Sequence, residues 1–294
     1  MDPVAGERSI TVRCPAKLNL FLEVLGKRPD GYHEIETVLT PAPMVEDEVT
    51  ASIAPYPGVS LTVEGGARWG VPDDRTNLAW RAAELVLGDA RASAGIHLRL
   101  RKEIPPGAGL GGGSSDAAAT LRAVNRLLGD PLPPARLAAL ALSLGSDVPY
   151  FLEGGTVLAR GRGEVLARLP DPPPFLYWVQ WPGVPAPTDE VYARCRPAGD
   201  DRRDASAVVR ALAARDAEAL DRACFNRLEA PSREVCPAVG EALELLRGMG
   251  DGRAHVSGSG SSCFLVLGNA AGECAPSDWP LDRPAGAFCE MRKR

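Results

Sequence analysis

A glycine run set between a strand pattern and a helix pattern restricts this chain more than any other feature. In Pro105-Pro106-Gly107-Ala108-Gly109-Leu110-Gly111-Gly112-Gly113, Leu110 is the one large aliphatic side chain. Before the run, Ile96, Leu98 and Leu100 alternate with His97, Arg99 and Arg101, which predicts a strand over 96–102. After it, Ala117, Leu121, Val124 and Leu128 recur at helical spacing, which predicts a helix over 114–128 with Gly129 just past its end. Each glycine loses backbone entropy on ordering, so such a run is a poor packing device. What it offers is a backbone whose N–H groups can wrap an anion, backed by the open amides and positive dipole end of the next helix. Ser114 and Ser115 add hydroxyls suited to capping that helix or touching a phosphate-bound metal. The strand-loop-helix setting favours a phosphate cradle over a flexible turn with a capping serine.

The common cradles fit incompletely. A Walker loop needs a lysine where Gly113 stands. The segment Gly107 to Gly112 matches G-x-G-x-x-G, but a dinucleotide fold then wants an acid ending a strand about 20 residues on. Asp130 is near that distance, yet it follows a helix pattern and precedes Pro131. No H-R-D or D-F-G follows, so a protein-kinase reading fails.

The rest of the chain is ordinary for a globular protein of 294 residues: 45% apolar, 24% charged, net charge −5. That charge disfavours a general nucleic-acid binder without excluding a small anionic ligand. The N-terminus shows no secretory signal pattern and no apolar run reaches the ~20 residues of a membrane span, so a cytoplasmic protein is expected. Seven cysteines without C-x-x-C spacing read as free thiols, and three histidines make a zinc site improbable. Further strands are expected over 9–14, 18–25, 49–53, 59–63 and 175–180. Further helices are expected over 74–88 and 134–144 and within 204–224 and 237–248. Pro170 to Pro174 reads as a stiff break and the best domain boundary.

At this point the motifs carry a family resemblance. Pro105 to Ala118, PPGAGLGGGSSDAA, resembles the phosphate loop of the GHMP small-molecule kinases, in the form found in the 4-diphosphocytidyl-2-C-methyl-D-erythritol kinases. Three more blocks agree in order: Pro15 to Leu20 with Arg28 to Glu34, Leu144 to Pro149 with Gly161-x-Gly163-Glu164, and Val256 to Gly260. Ser146 stands where alanine is commoner, Thr40 to Glu48 is unusually polar, and the tail from Asn269 matches nothing in the pattern. The resemblance implies an α+β, two-domain architecture. An ATP-binding β-α-β domain would occupy 1–170, and a ferredoxin-like α/β substrate domain 171–294. It also implies ATP and Mg²⁺ as cofactors and transfer of the γ-phosphate to the 2-hydroxyl of the cytidyl alcohol. A monomer or weak homodimer, with no nucleic-acid or membrane partner, is expected.

The site residues follow from both sources. Asp147, leading into an apolar run, is by itself a cap, a buried pair or a catalytic group; the resemblance makes it the base. Lys17 is either a paired buried charge or a solvated strand edge, and the resemblance makes it the partner of Asp147. Asn19, two residues on, shares its strand face and is suited to orient the same group. Tyr32 and His33 read alone as surface residues flanking a Pro-Asp-Gly turn; the resemblance sets them against the cytosine and its diphosphate. Thr188 and Tyr192 match a P-T-x-x-V-Y stretch, with Tyr192 closing the cytosine from its other side. Asn77 and Lys102 match positions near the adenine, against plainer readings as a helix-start residue and a solvated strand end. Pro105 to Ser115 would hold the triphosphate, with Ser115 also a candidate metal ligand. Gly258 and Gly260 read as an anion nest or a tight turn, and His97 and His255 as structural. Three rival readings remain: a kinase for another alcohol such as homoserine or mevalonate, a dinucleotide-binding oxidoreductase, and an inactive nucleotide-binding regulator.

Overall fold

The computed structural model describes residues 9–170, 175–249, 253–269 and, for the backbone, 287–289. In chain order the elements begin with β1 (Ser9–Lys27), β2 (His33–Ala54), β3 (Gly58–Glu64), α1 (Leu78–Asp89), β4 (Gly95–Arg101), α2 (Gly112–Leu127), α3 (Pro134–Leu144) and α4 (Val148–Glu153). Next come β5 (Val157–Gly161), β6 (Val165–Arg168), β7 (Phe175–Gln180), α5 (Thr188–Arg194), α6 (Ser206–Ala214) and α7 (Ala217–Ala223). The last are β8 (Phe225–Asn226), α8 (Glu229–Val235), α9 (Pro237–Met249), β9 (His255–Val256), β10 (Cys263–Asn269) and β11 (Ala287–Cys289). No described helix is long and apolar enough to cross a membrane.

These elements form two compact units that interleave along the chain. The first takes Met1–Ala16, Val45–Pro106 and Gly111–Gly154; the second takes Lys17–Met44, Gly107–Leu110 and Gly155–Arg294. Asp171 to Pro174, where the sequence suggests a boundary, lie outside the described residues, as does the tail from 270 to 286.

In the first unit β4 is the central strand. It pairs antiparallel with the end of β2, Val49 opposite Leu100 and Ala51 opposite Leu98, and parallel with β3, Leu61 opposite Leu98. The alternation in β4 does what the sequence predicts: Ile96, Leu98 and Leu100 are fully buried, each such side chain contributing about 1.5–3 kcal/mol. Helix α1 buries Ala79, Ala82, Ala83 and Val86, and α2 buries Ala117, Leu121 and Val124. Small residues on both helices let their backbones approach. Asp130, at the turn after α2, takes a left-handed conformation and pairs with Arg126, so it does not end a strand as a dinucleotide fold requires.

In the second unit the start of β2 pairs with β5, Ile35 opposite Gly161 and Leu39 opposite Val157, and β5 pairs with β6. Phe21 of β1 lies parallel to Phe225 of β8. A separate sheet runs β11-β7-β10-β9. Its core gathers Trp178, Val239, Leu243, Leu246, Val256 and Leu265 with Leu22 and Val24 of β1.

Two strands exceed their sequence outlines. β1 continues through Pro15-Ala16-Lys17, where the Lys17 amide bonds the Leu110 carbonyl at 3.0 Å. β2 continues through Pro41 and Pro43, which fall between its β5 partners ending at Leu39 and its β4 partners starting at Glu48. Two prolines two residues apart remove N–H groups from one edge only, so the strand survives.

Candidate active site

The glycine segment is built from two pieces. Gly107–Leu110 belongs to the second unit, and there every carbonyl is taken. Gly107 accepts from the Ala186 amide at 3.0 Å, Ala108 from the Ser262 amide at 2.9 Å, and Leu110 from the Lys17 amide. The Gly109 carbonyl accepts from Lys17 Nζ at 2.6 Å and Ser257 Oγ at 3.1 Å. In a planar trans peptide the C=O and the following N–H point opposite ways. The amides of Ala108, Gly109, Leu110 and Gly111 therefore each point away from the bond made by the carbonyl that precedes them. None of those amides is engaged by another described backbone carbonyl. A Cβ on Gly109 would lie 2.1 Å from the Ser257 carbonyl, at φ +74, so only glycine fits.

Gly111 to Ser115 belong to the first unit and open α2. Gly111 is the N-cap in a left-handed conformation, φ 74, with no side-chain cap. The first-turn amides of Gly112, Gly113 and Ser114 therefore have no partner in the helix and sit at its positive end. Gly113 is exposed and Ser114 half-buried. The helix starts two residues before the predicted Ser114, because glycine rather than serine caps it.

Lys17 and Asn19 do share a face. Both are buried, Lys17 Nζ donates to Asn19 Oδ1, and Asn19 Nδ2 donates to Thr37 Oγ1 at 2.9 Å. Ser257 Oγ accepts the Asn19 amide at 3.3 Å while donating to Gly109. The Cβ position of Gly258 lies 2.9 Å from Lys17 Nζ, so this second glycine loop packs directly on the ammonium. It is held from behind: Asn226 Nδ2 donates to the carbonyls of Val256 and Gly258, each at 2.7 Å, and Ser232 Oγ to that of Ser259 at 3.0 Å.

The aromatic residues meet differently from the expected pair of walls. Tyr192, on α5, stacks on His33 with ring centres 4.9 Å apart, and Thr188 on the same helix bonds Ser259 at 2.9 Å. Tyr32 is 48% exposed and carries the Arg162 guanidinium 4.6 Å from its ring centre. Burial and the nearby Lys27 charge lower the His33 pKa, leaving a neutral imidazole with one donor and one acceptor. Asp147 stands at the N-cap of α4, half-buried, without a capping hydrogen bond from its side chain. Burial and the Asp147 charge raise the phenol of neighbouring Tyr150.

Known proteins match this arrangement. The GHMP kinases N terminal domain matches residues 77–155, and the GHMP kinases C terminal domain residues 208–276. The 4-diphosphocytidyl-2-C-methyl-D-erythritol kinase of Pelotomaculum thermopropionicum is 44% identical over 257 residues, covering 87% of this chain and 88% of that protein. The chain belongs to the 4-diphosphocytidyl-2-C-methyl-D-erythritol kinases. The kinase of that name from Geobacter metallireducens is 39% identical, over 92% of this chain and 96% of its own. A crystal structure of 4-(cytidine 5′-diphospho)-2C-methyl-D-erythritol kinase superposes with TM-score 0.71 at 38% identity, covering 88% of this chain and 91% of that one. A homoserine kinase from Cytophaga hutchinsonii, at TM-score 0.67 and 22% identity over 92% of this chain and 88% of that one, shares the fold alone. This chain is thus a small-molecule kinase of α+β, two-domain GHMP architecture, a class that uses ATP.

Three further residues named by the resemblance are held by bonds within the first unit. Asn77 is the N-cap of α1: its Oδ1 accepts the Ala79 amide at 2.9 Å and its Nδ2 donates to the Pro72 carbonyl at 2.7 Å. Ser115 is 2% exposed and donates its hydroxyl to the Pro15 carbonyl at 2.8 Å, which leaves the lone pairs of its oxygen open. Lys102 is 2% exposed and its ammonium bonds Asp47 and Asp116, so it does not reach for a base. Burial works against the Lys102 charge, but Asp116 and Asp47 outweigh it and raise its pKa. Burial, helped by the Asp47 charge and opposed by Lys102, pushes the Asp116 carboxyl up to about 8. Four contributors escape a reading of the sequence: Arg162, Ser257, Asn226 and Ser232. The x of Gly161-x-Gly163 was the only signal for the first, and the glycine loop after Val256 the only one for Ser257.

Proposed function

We propose that this kinase transfers the γ-phosphate of ATP to the 2-hydroxyl of 4-diphosphocytidyl-2-C-methyl-D-erythritol. The observation that carries phosphoryl transfer is the glycine segment whose carbonyls are tied while four successive amides are taken by no described backbone carbonyl, and which leads into the open first turn of α2. Loose phosphoryl-transfer transition states need positioning and charge more than covalent help, and such amides supply both. In this reading Asp147 accepts the hydroxyl proton as the oxygen attacks the γ-phosphorus, and ADP leaves. Lys17 is the second catalytic residue of this reading, its ammonium fixed by Asn19 and the Gly109 carbonyl, with the Ser257 hydroxyl bonded to that same carbonyl. The neutral His33, stacked on Tyr192, offers a pyrimidine a donor and an acceptor, and Tyr32 with Arg162 offers a π-face and a cation. Thr188 and Tyr192 share this role from α5.

Mg²⁺ belongs to this reading with the phosphates of ATP. Among the described residues no group of three His, Cys, Asp or Glu could hold a metal ion; Ser115 would offer its hydroxyl oxygen, and no step is assigned to the ion. We place the ATP-binding role at the glycine segment and the start of α2, and the alcohol-binding role at Tyr32, His33, Thr188 and Tyr192, in a cytoplasmic monomer or weak homodimer. Phosphorus and carbon NMR of the product tests the reaction: a phosphomonoester coupled to C2 of the erythritol supports it, and phosphate on another oxygen, or no turnover of the cytidyl alcohol, overturns it.

A further inference from the structure

Lys102, Asp47 and Asp116 are three charged side chains with almost no exposure: 2%, 1% and 2%. They come from three places in the first unit. Asp47 lies in β2, Lys102 just past β4, and Asp116 in the second turn of α2. Lys102 Nζ donates to Asp47 Oδ2, and to Asp116 Oδ2 at 2.9 Å. The other oxygen of Asp47 accepts two consecutive amides, Glu103 at 2.6 Å and Ile104 at 2.8 Å. Those amides are the last before Pro105, where the phosphate loop begins. The Cβ position of Gly112, the first residue of α2, lies 3.0 Å from Lys102 Nζ and 2.8 Å from Ile104 Cγ2. The start of the helix therefore rests on the ammonium with no side chain between.

Buried charge of this kind is a poor way to gain stability. Well-packed apolar residues of the same volume usually serve as well or better. What the charges add is direction: a carboxylate that takes two adjacent amides fixes the entry of the loop, and an ammonium bonded to the same carboxylate and to α2 fixes its exit. From this geometry we infer that Asp47, Lys102 and Asp116 form a clamp that sets the spacing between the entry and exit of the phosphate loop. They are thereby positioning residues for the ATP phosphates. The inference rests on the proposed role of the loop and adds residues that touch no substrate.

The test uses the full-length chain and ATP binding by calorimetry, which needs no alcohol, alongside KM for ATP and for the cytidyl alcohol. Asp47→Asn/Lys102→Met/Asp116→Leu removes all three ionisable groups together, strands no charge and keeps an oxygen for the Glu103 and Ile104 amides, so the fold should persist. The clamp predicts a rise in Kd and KM for ATP of at least about tenfold, with KM for the alcohol within about twofold. Asp116→Asn, which keeps an oxygen for Lys102, should bind ATP within about threefold of wild type. A folded triple variant with unchanged ATP affinity, or with both KM values raised together, overturns the clamp. In case the triple variant does not fold, hydrogen exchange of the wild type gives the same decision. The Glu103 and Ile104 amides should be protected without nucleotide as strongly as those of β4. Fast exchange that slows only on ATP addition overturns a preset clamp. Failure of wild type to phosphorylate the cytidyl alcohol would instead count against the proposed substrate, because Kd for ATP is measured without it.

Discussion

The phosphate loop and the aromatic cluster around His33 are built on opposite principles. The loop is made of backbone: its carbonyls are tied, Gly107, Gly109 and Gly111 sit at positive φ, and a methyl group at Gly109 has no room. The cluster is made of side chains: Tyr32 is half exposed, Tyr192 and His33 stack, and Arg162 covers Tyr32. A backbone site recognises what all nucleoside triphosphates share, so it admits little variation. A side-chain site distinguishes one alcohol from another, and can change without harm to the fold. The difference predicts where substitutions harm catalysis in general and where they harm one substrate.

The largest effect lies in neither region. Asp147→Asn leaves both intact and removes the proton acceptor, so kcat should fall about 10²–10⁴-fold while Kd for ATP stays near wild type. Steady-state kinetics with a binding isotherm checks this, and kcat within about threefold of wild type would sink the assigned role. Next comes Gly109→Ala. Its Cβ would lie 2.1 Å from the Ser257 carbonyl, at φ +74. Clash and left-handed strain together should weaken ATP binding at least about a hundredfold, or ~2.7 kcal/mol. Gly113→Ala, whose Cβ meets only Leu78 Cδ1 at 3.7 Å, should weaken it far less. Equal losses at the two glycines would break the claim that carbonyl packing shapes the loop.

Tyr192→Ala or Tyr32→Ala should then raise KM for the cytidyl alcohol about 5- to 150-fold, the equivalent of about 1–3 kcal/mol per stacked base. KM for ATP and the melting temperature should hardly move. Parallel rises in both KM values would mean that the aromatic cluster supports the fold rather than the base.

The smallest expected effect is a pH dependence. The Asp116 carboxyl is pushed up to about 8 in the folded chain, above the ordinary carboxylate range of the unfolded one. Its contribution to stability is full below about pH 4 and is lost as pH rises towards 8. Asp116→Asn should therefore gain in melting temperature relative to wild type between pH 5 and 8. A difference that is flat across that range, or that falls, contradicts the shift.

The loop was legible in the sequence because glycine is conspicuous and its strand and helix flanks are periodic. Lys17 and Asn19 were legible as neighbours because a strand repeats every two residues. Lys102 was not, because its partner Asp47 is 55 residues away and nothing local announces a buried ion pair. Asn77 and Ser115 match family positions, yet each hydrogen-bonds its own unit's backbone, and that choice depends on packing. Asn226 and Ser232 act through carbonyls of a loop some 30 residues on, which composition and spacing do not reveal. β1 was divided at Pro15 and β2 was read only over 49–53, because prolines interrupt the N–H series on which a ladder depends.

The central claim is that a general ATP loop is paired with a side-chain site specific for a cytidyl alcohol. It is tested most directly by coupled ADP release with ATP and a panel of alcohols: 4-diphosphocytidyl-2-C-methyl-D-erythritol, homoserine and mevalonate. A site built to hydrogen-bond and stack a cytosine should favour the cytidyl alcohol by about 10⁴-fold or more in kcat/KM. Comparable kcat/KM for homoserine or mevalonate would contradict it.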